Sequence, residues 1–127
     1  MNLIGALAVF IGGGLGSLLR FGLSYLIRGI SLSALPYATL ASNILSTAIL
    51  GIVFYKVSPL SNQTLYLFLA IGVCGGFSTF STFSLETFQL LKNGQFIWAT
   101  ANILISVFMC LMILFLISKS IKRKTSH

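Results

Sequence analysis

Four apolar segments, each long enough to cross a lipid bilayer, make up most of this 127-residue chain. A transmembrane helix needs about 20 apolar residues, and the segments cover approximately residues 3–27, 37–55, 64–91 and 96–118. Charged residues are only 7% of the chain, whereas soluble domains contain roughly a quarter. We therefore predict an all-α membrane protein, with one four-helix transmembrane domain over residues 1–127.

The basic residues are placed as in membrane proteins, so the net charge of +7 does not indicate nucleic-acid binding. With four helices both termini lie on one side, which carries five basic residues, and the positive-inside rule makes that side cytoplasmic. Four of these five residues follow the fourth segment, in the C-terminal tail. Without the tail, the two sides carry one and two basic residues, so both orientations in the membrane stay open. The five are Lys56, Lys119, Lys122, Arg123 and Lys124, and the opposite side carries Arg28 and Lys92.

The third segment contains an unusual polar stretch between Cys74 and Glu86. Non-helical backbone in lipid survives only where protein or a cavity satisfies its polar groups. Because glycine makes a helix break cheap, we predict a mid-membrane break at Gly75–Gly76. The freed carbonyl oxygens are cation ligands, and two copies meeting at their breaks offer about four, enough for Na⁺.

Three phenylalanines follow the glycines at intervals of three residues, so we expect Phe77, Phe80 and Phe83 to share one helix face. A phenyl ring has a positive edge, and ring edges in a narrow, dry passage attract a small anion. Hydroxyl groups between the rings, including those of Ser81 and Thr82, can replace lost hydration. The alternative is an aromatic stripe that packs against lipid or a neighbouring helix.

The first segment has small residues on one face and ends with a cation. Gly12 and Gly16 form a GxxxG pair, which predicts close packing with another helix. Arg20 continues that face. Its charged group either extends to the membrane–water interface or lies as a cation at the mouth of an anion path.

Polar stripes also follow the second and fourth segments. Asn43 lies between Thr39 and Thr47 at helical spacing, and its amide cannot be satisfied locally in full, so it must face another helix or water. Its NH₂ group would suit an anion. Asn102 and Ser106 form a second, milder stripe, and we include Ser106 among the predicted pore residues.

The residues needed for an enzyme are absent, since the chain has one carboxylate, Glu86, and one histidine at its C-terminus. No side-chain metal site can be assembled either. Three functions stay open: an anion channel, a small proton-coupled exporter that uses Glu86, and a non-transporting assembly subunit.

The combination of these motifs resembles the Fluc family of fluoride channels over nearly the whole chain. The stretch from Gly75 to Ser84 looks like the hallmark of that family. The other matching features are the glycine-rich first helix ending at Arg20, Asn43 with Gly51, Glu86, and the turn at Lys92-Asn93-Gly94.

This resemblance implies a passive channel in the bacterial plasma membrane that lets toxic cytoplasmic fluoride leave the cell. It implies an antiparallel dual-topology dimer, of this chain with itself or with a paralogous chain, and two pores. A structural, non-transported Na⁺ would be held by the main-chain carbonyls of Gly75 and Ser78 of both subunits. Phe80 and Phe83 of different subunits would line each pore, with Asn43 as a polar contact.

Overall fold

The computed structural model describes residues 2–28 and 36–125. Most of the predicted connection between the first two spans, residues 29–35, lies outside the described residues. Four helices in the described part are long and apolar enough to cross a membrane: Leu3–Ile27, Tyr37–Lys56, Gln63–Lys92 and Phe96–Lys124. The protein is therefore an all-helical, multi-pass membrane protein.

The third of these spans is interrupted by two extended residues, Ser78 and Thr79, and therefore consists of two helices. The described residues thus form five helices. Helix α1 is Leu3–Ile27 and α2 is Tyr37–Lys56. Helix α3 covers residues 63–77 and is π-helical over Leu67–Val73. Helix α4 is Phe80–Lys92, and α5 is Phe96–Thr125.

Polar side chains fix where three of these helices begin. The Asn2 Oδ1 atom accepts a hydrogen bond from Gly5 N at 2.7 Å at the start of α1. Asn62 accepts from Leu65 N at the start of α3, and Thr79 accepts from Thr82 N at the start of α4. Each cap satisfies an amide that has no partner within its own helix.

Helices α1 and α3 pack backbone against backbone. A Cβ atom at Gly12 would overlap the Phe68 carbonyl oxygen, and one at Gly16 would overlap the Val73 carbonyl oxygen. Gly72 is equally close to Gly12 from the other side, since its added Cβ would lie 2.9 Å from the Gly12 Cα. Backbone atoms cannot move aside as a flexible side chain can, so this interface requires glycine.

Small and polar residues make up much of the interior, while most large apolar side chains face outward. Ser42, Ser46 and Thr87 are buried, whereas Phe10 and Phe108 are exposed. This is the reverse of a soluble domain and is the arrangement expected when the surroundings are lipid.

The prediction that Gly75 and Gly76 form the break in the third span is wrong. Both glycines lie in the helical turn Cys74–Phe77. The extended residues are Ser78, with φ −81° and ψ 158°, and Thr79, with φ −153° and ψ 113°. Gly76 is needed for packing instead, because a Cβ there would overlap the Gly13 carbonyl oxygen.

The last helix continues beyond the apolar segment that the sequence delimits. The apolar segment ends near Ser118, but α5 stays helical to Thr125 through the basic residues. Lysine and arginine are good helix formers, and cations near a helix C-terminus interact favourably with its dipole.

Candidate functional site

Asn43 holds the two extended residues of the third span in place. Its Oδ1 atom accepts a hydrogen bond from Thr79 N at 2.9 Å. In an uninterrupted helix that N–H would donate to the carbonyl of Gly75, four residues earlier. Because a backbone N–H can only donate, the carbonyl oxygen of the amide must face Thr79, and the NH₂ group of Asn43 points away from it.

A groove of about 390 Å³ opens beside this break, between α2, α4 and α5. Four residues predicted for the anion path line it together: Asn43, Phe80, Phe83 and Ser106. Ser81 and Thr82, which were also predicted for the path, do not line it. The complete lining is Asn43, Thr47, Ser78, Thr79, Phe80, Phe83, Ser106, Val107, Cys110 and Leu111.

Only two of the three predicted phenylalanines lie together. The Phe80 and Phe83 ring centroids are 5.9 Å apart, with the ring planes tilted by 38°. Phe80 is 80% exposed in the single chain, whereas Phe77 is 5% exposed and lies before the break. The prediction that Phe77 shares their face is wrong, because the extended residues Ser78 and Thr79 interrupt the helical spacing.

The carbonyl oxygens at the end of α3 differ in how they are satisfied. The Cys74 oxygen accepts from Ser78 N at 3.0 Å, from Ser78 Oγ at 2.8 Å and from Ser46 Oγ at 2.9 Å. The Gly76 oxygen accepts from Arg20 Nε at 3.1 Å. In the described residues, the carbonyl oxygens of Gly75 and Ser78 accept none of the capping or side-chain hydrogen bonds.

Arg20 therefore has a contact that neither interpretation of the sequence included. Its guanidinium group is half-buried and bonds to the main chain of α3, rather than only reaching for the interface. The contact ties α1 to the turn before the break, and it leaves a fixed positive charge beside that turn.

A second polar layer joins α2, α4 and α5 beyond the groove. The Thr39 hydroxyl donates to Glu86 Oε1 at 2.8 Å. Asn102, which is 2% exposed, donates through Nδ2 to Thr87 Oγ1 at 2.9 Å. The Thr87 hydroxyl in turn donates to the Phe83 carbonyl at 2.8 Å, so Asn102 supports the helix that carries the ring.

Three buried side-chain oxygens in the described residues have no hydrogen-bond partner. They are Ser42 Oγ, Glu86 Oε2 and Ser106 Oγ. An unsatisfied buried polar atom costs about 1–3 kcal/mol, so native proteins normally give such atoms a partner, often a water molecule. The atoms come from α2, α4 and α5, and Ser106 also lines the groove.

Some residues of this site were not identified from the sequence. Thr79 caps α4, and a threonine before an apolar helical run is a recognisable N-cap signal. The pairing of Thr39 with Glu86 joins residues 47 positions apart, and no sequence spacing indicates it. Cys110, four residues after Ser106 on the same helix, also lines the groove.

Acidic, histidine and cysteine side chains do not form a metal site in residues 2–28 and 36–125, where no group of three approaches closely enough. A cation at the break would have to be bound by main-chain oxygens. The Gly75 and Ser78 carbonyls fit that requirement, because they are hard oxygen ligands and are free of the hydrogen bonds described above.

Comparison with known proteins gives one consistent result. The family model described as "CrcB-like protein, Camphor Resistance (CrcB)" matches residues 7–117. The chain is 45% identical over 103 residues to a fluoride-specific ion channel FluC from Serratia proteamaculans, covering 80% of each chain. It is 44% identical over 102 residues to a FluC from Elusimicrobium minutum, again covering 80% of each. A FluC from Ruminiclostridium cellulolyticum is 40% identical over 112 residues, which cover 87% of this chain and 86% of the relative.

Proposed function

The chain belongs to the family of CrcB-like proteins, and on this basis we propose that it is a fluoride-specific ion channel for passive fluoride efflux. The observation that carries the proposal beyond family membership is the groove beside the break. Its wall combines an oriented amide with two neighbouring phenyl rings. The protein is a channel and not an enzyme. Its relatives are bacterial proteins, which supports a site of action in the bacterial plasma membrane.

The groove offers an anion weak, fixed donors instead of a full charge. The Asn43 carbonyl oxygen is engaged by Thr79, so its NH₂ group is the part of the amide available to an ion. The edges of Phe80 and Phe83 carry partial positive charge. Donors of this strength compensate for lost hydration without trapping the ion, and a channel requires binding that is weak enough for release.

The unsatisfied polar atoms support a path that continues from the groove along α2, α4 and α5. The hydroxyls of Ser106 and Ser42 can donate to a partly dehydrated anion or to water that accompanies it. Glu86 contributes to a second cavity of about 240 Å³, together with Pro36, Gln89 and Asn93. An ionised Glu86 carboxylate can only accept hydrogen bonds, so the two serine hydroxyls, and not Glu86, would contact the anion.

The groove is incomplete in a single chain, which supports assembly as an antiparallel dimer. Phe80 is 80% exposed although it lies at the candidate site. A second copy, or a paralogous chain of opposite orientation, would cover that ring and close the passage. Phe80 and Phe83 of different subunits would then line each pore, and Ser81 and Thr82 would contribute through the same interface.

The same interface would bring together the Gly75 and Ser78 carbonyl oxygens of the two chains, which receive none of the capping or side-chain hydrogen bonds seen in the described residues. We propose that Gly75 and Ser78 of both subunits supply about four oxygens to a structural Na⁺, a suitable set of hard ligands. The ion would be part of the dimer and would not be transported. A Cβ atom at Gly75 would meet no other atom within 4 Å, so space is available on the open side of that residue.

The channel proposal is tested by fluoride efflux from liposomes that contain the purified protein. We expect fluoride flux without a proton gradient, and a strong decrease in both Phe80→Ile and Phe83→Ile. Phe88→Ile is the matched control, because Phe88 is an exposed ring on the same helix and does not line the groove. Unchanged flux in both pore variants would refute the pore assignment.

The two other functions give different results in the same liposomes. A proton-coupled exporter using Glu86 would show flux that follows the pH gradient and is abolished in Glu86→Gln. An assembly subunit would conduct nothing under any condition. Flux that appears only when a paralogous chain is added would support a heterodimer.

The Na⁺ proposal is tested by the stability of the purified dimer. A ligand that binds only the assembled state stabilises it by mass action, by about 2.7 kcal/mol at 100 times its Kd. We expect the dimer to dissociate more readily when Na⁺ is replaced by a large organic cation. Equal stability in both salts would refute the carbonyl site and would leave the fluoride proposal intact.

A further inference from the structure

The C-terminal part of α5 is a helix that continues past the apolar segment. From Phe96 to Ser118 the helix rises about 34 Å at 1.5 Å per residue. That length already spans a hydrocarbon core of about 30 Å. The remaining turns, Lys119 to Thr125, are still helical, so they lie at the depth of the lipid headgroups.

These turns concentrate positive charge. Lys119, Lys122, Arg123 and Lys124 are exposed and lie within six consecutive positions. The only acidic side chain in the protein, Glu86, is on α4 before the turn that leads into α5, which places it toward the opposite end of α5. Within one chain, Glu86 is therefore remote from the basic segment.

Part of this charge faces a single groove of about 480 Å³. The groove is lined by Leu116, Lys119, Ser120, Arg123 and Lys124. Residues three, four and seven positions apart share a helix face, which explains why these side chains converge. Leu116 is 58% exposed and forms the end of the groove nearest the membrane interior, while the cations form the end nearest the water.

We propose that this groove binds the phosphate headgroup of an anionic phospholipid. The cations of Lys119, Arg123 and Lys124 and the hydroxyl of Ser120 suit a phosphate. The apolar side chain of Leu116 lies where the first carbons of an acyl chain would follow. Free phosphate would use only the charged end, so the combination of cations and exposed leucine favours a lipid. The proposal does not depend on which ion the protein conducts.

Tryptophan quenching by brominated lipids tests the proposal. The reporter is Met112→Trp in a Trp98→Phe background, since Met112 is partly exposed, lies on the same helix face seven residues before Lys119, and does not line the groove. Vesicles contain phosphatidylglycerol and phosphatidylcholine, with one or the other brominated in its acyl chains. Because both leaflets have the same composition, the result does not depend on the orientation of the chain.

We expect phosphatidylglycerol to be enriched about fivefold or more at this reporter, since one basic side chain near an anionic surface corresponds to about fivefold in binding. The enrichment should fall to nearly none in Lys119→Gln/Arg123→Gln/Lys124→Gln. It should also decrease as ionic strength rises from about 0.05 M to about 0.5 M. Native Trp98, at the other end of α5, has only Lys92 nearby in its own chain, so it is the matched control and should show a clearly smaller enrichment than the Met112→Trp reporter.

Equal quenching by both lipids, or an enrichment that persists in the triple variant, would overturn the proposal. Enrichment of the same size at Trp98 would also overturn it, because the lipid would then follow the whole protein and not the groove. Inorganic phosphate, added at constant ionic strength, distinguishes the two sources of the anion. If phosphate at a concentration below that of the anionic lipid abolishes the enrichment, free phosphate is the preferred ligand and the lipid assignment is wrong.

Discussion

Asn43 accepts a hydrogen bond from Thr79 N and, in the proposed channel, offers its NH₂ group to an anion; the substitution Asn43→Asp distinguishes these two roles. The aspartate keeps the size of the side chain and an oxygen that can accept from Thr79 N, which lies 2.9 Å from the present acceptor. It replaces the NH₂ donor by a second oxygen. We therefore expect the break to keep its geometry while the groove loses the group that would bind an anion.

The effect on flux can be estimated from the geometry. A hydrogen bond to a charged group contributes about 1.5–3 kcal/mol. An ionised carboxylate about 4 Å from a passing anion adds roughly 4 kcal/mol of repulsion at an effective dielectric constant of 20. Since about 1.4 kcal/mol corresponds to a factor of ten, loss of the donor alone should lower fluoride flux by about tenfold to a hundredfold. Repulsion by an ionised aspartate would lower it further.

Asn43→Ala provides the contrast, because it removes the acceptor as well as the donor. Thr79 N would be left without its partner, and an unsatisfied N–H of this kind costs about 1–3 kcal/mol. We expect the alanine variant to lose both flux and stability, whereas the aspartate variant loses flux alone. The charge-assisted bond in the aspartate variant can even be stronger than the original.

Two measurements on the same preparations decide the matter: fluoride efflux from liposomes, and thermal unfolding of the purified protein in detergent. An aspartate variant that conducts as well as the wild type would refute the role of the NH₂ group. An alanine variant as stable as the wild type would refute the role of the Thr79 contact.

Three further predictions concern packing and the break. Gly16→Ala should prevent stable folding, as measured by the yield of monodisperse protein, because its Cβ would overlap main chain, whereas Gly14→Ala, with open space around it, should fold normally. Asn102→Ala should lower the free energy of unfolding by about 1–3 kcal/mol, because it removes the buried bond to Thr87; an unchanged unfolding transition would show that the bond does not contribute. Ser78→Thr should leave flux and Na⁺ dependence unaltered in liposomes, since the threonine hydroxyl can make the same bond to the main chain, and a loss of Na⁺ dependence would contradict a purely main-chain site.

Helix number and membrane character could be predicted from the sequence because they depend on long, uniform patterns. Four apolar segments with almost no charge have no other stable arrangement in lipid. The ends of the helices were harder to predict from the sequence. The basic residues after Ser118 predicted a non-helical tail, but lysine and arginine are good helix formers, and α5 is helical through the last described residue, Thr125.

The position of the break could not be predicted from local propensity. Gly75 and Gly76 are the most flexible residues in the stretch, and yet they are helical. The interruption lies at Ser78 and Thr79, where tertiary contacts decide the outcome. Asn43 takes the Thr79 amide out of the helix, and the Thr79 hydroxyl begins the next helix by accepting from Thr82 N at 3.1 Å.

The candidate site was partly predictable for a related reason. The polarity of Asn43 was recognisable, because an amide in an apolar helix needs a partner from elsewhere. Its partner was not recognisable, because it is a main-chain group 36 residues away. The same holds for Arg20, whose bond to the Gly76 carbonyl joins residues 56 positions apart.

The two extended residues at 78 and 79 also place opposite electrical poles within one membrane span. Helix α3 ends there and α4 begins there. A helix has roughly half a negative elementary charge at its carboxyl end and half a positive one at its amino end. The end of α3 therefore favours a cation and the start of α4 favours an anion, a few ångströms apart on the same chain. A substitution that made the span one continuous helix would remove both poles together, so cation and anion affinity should be lost in a single step.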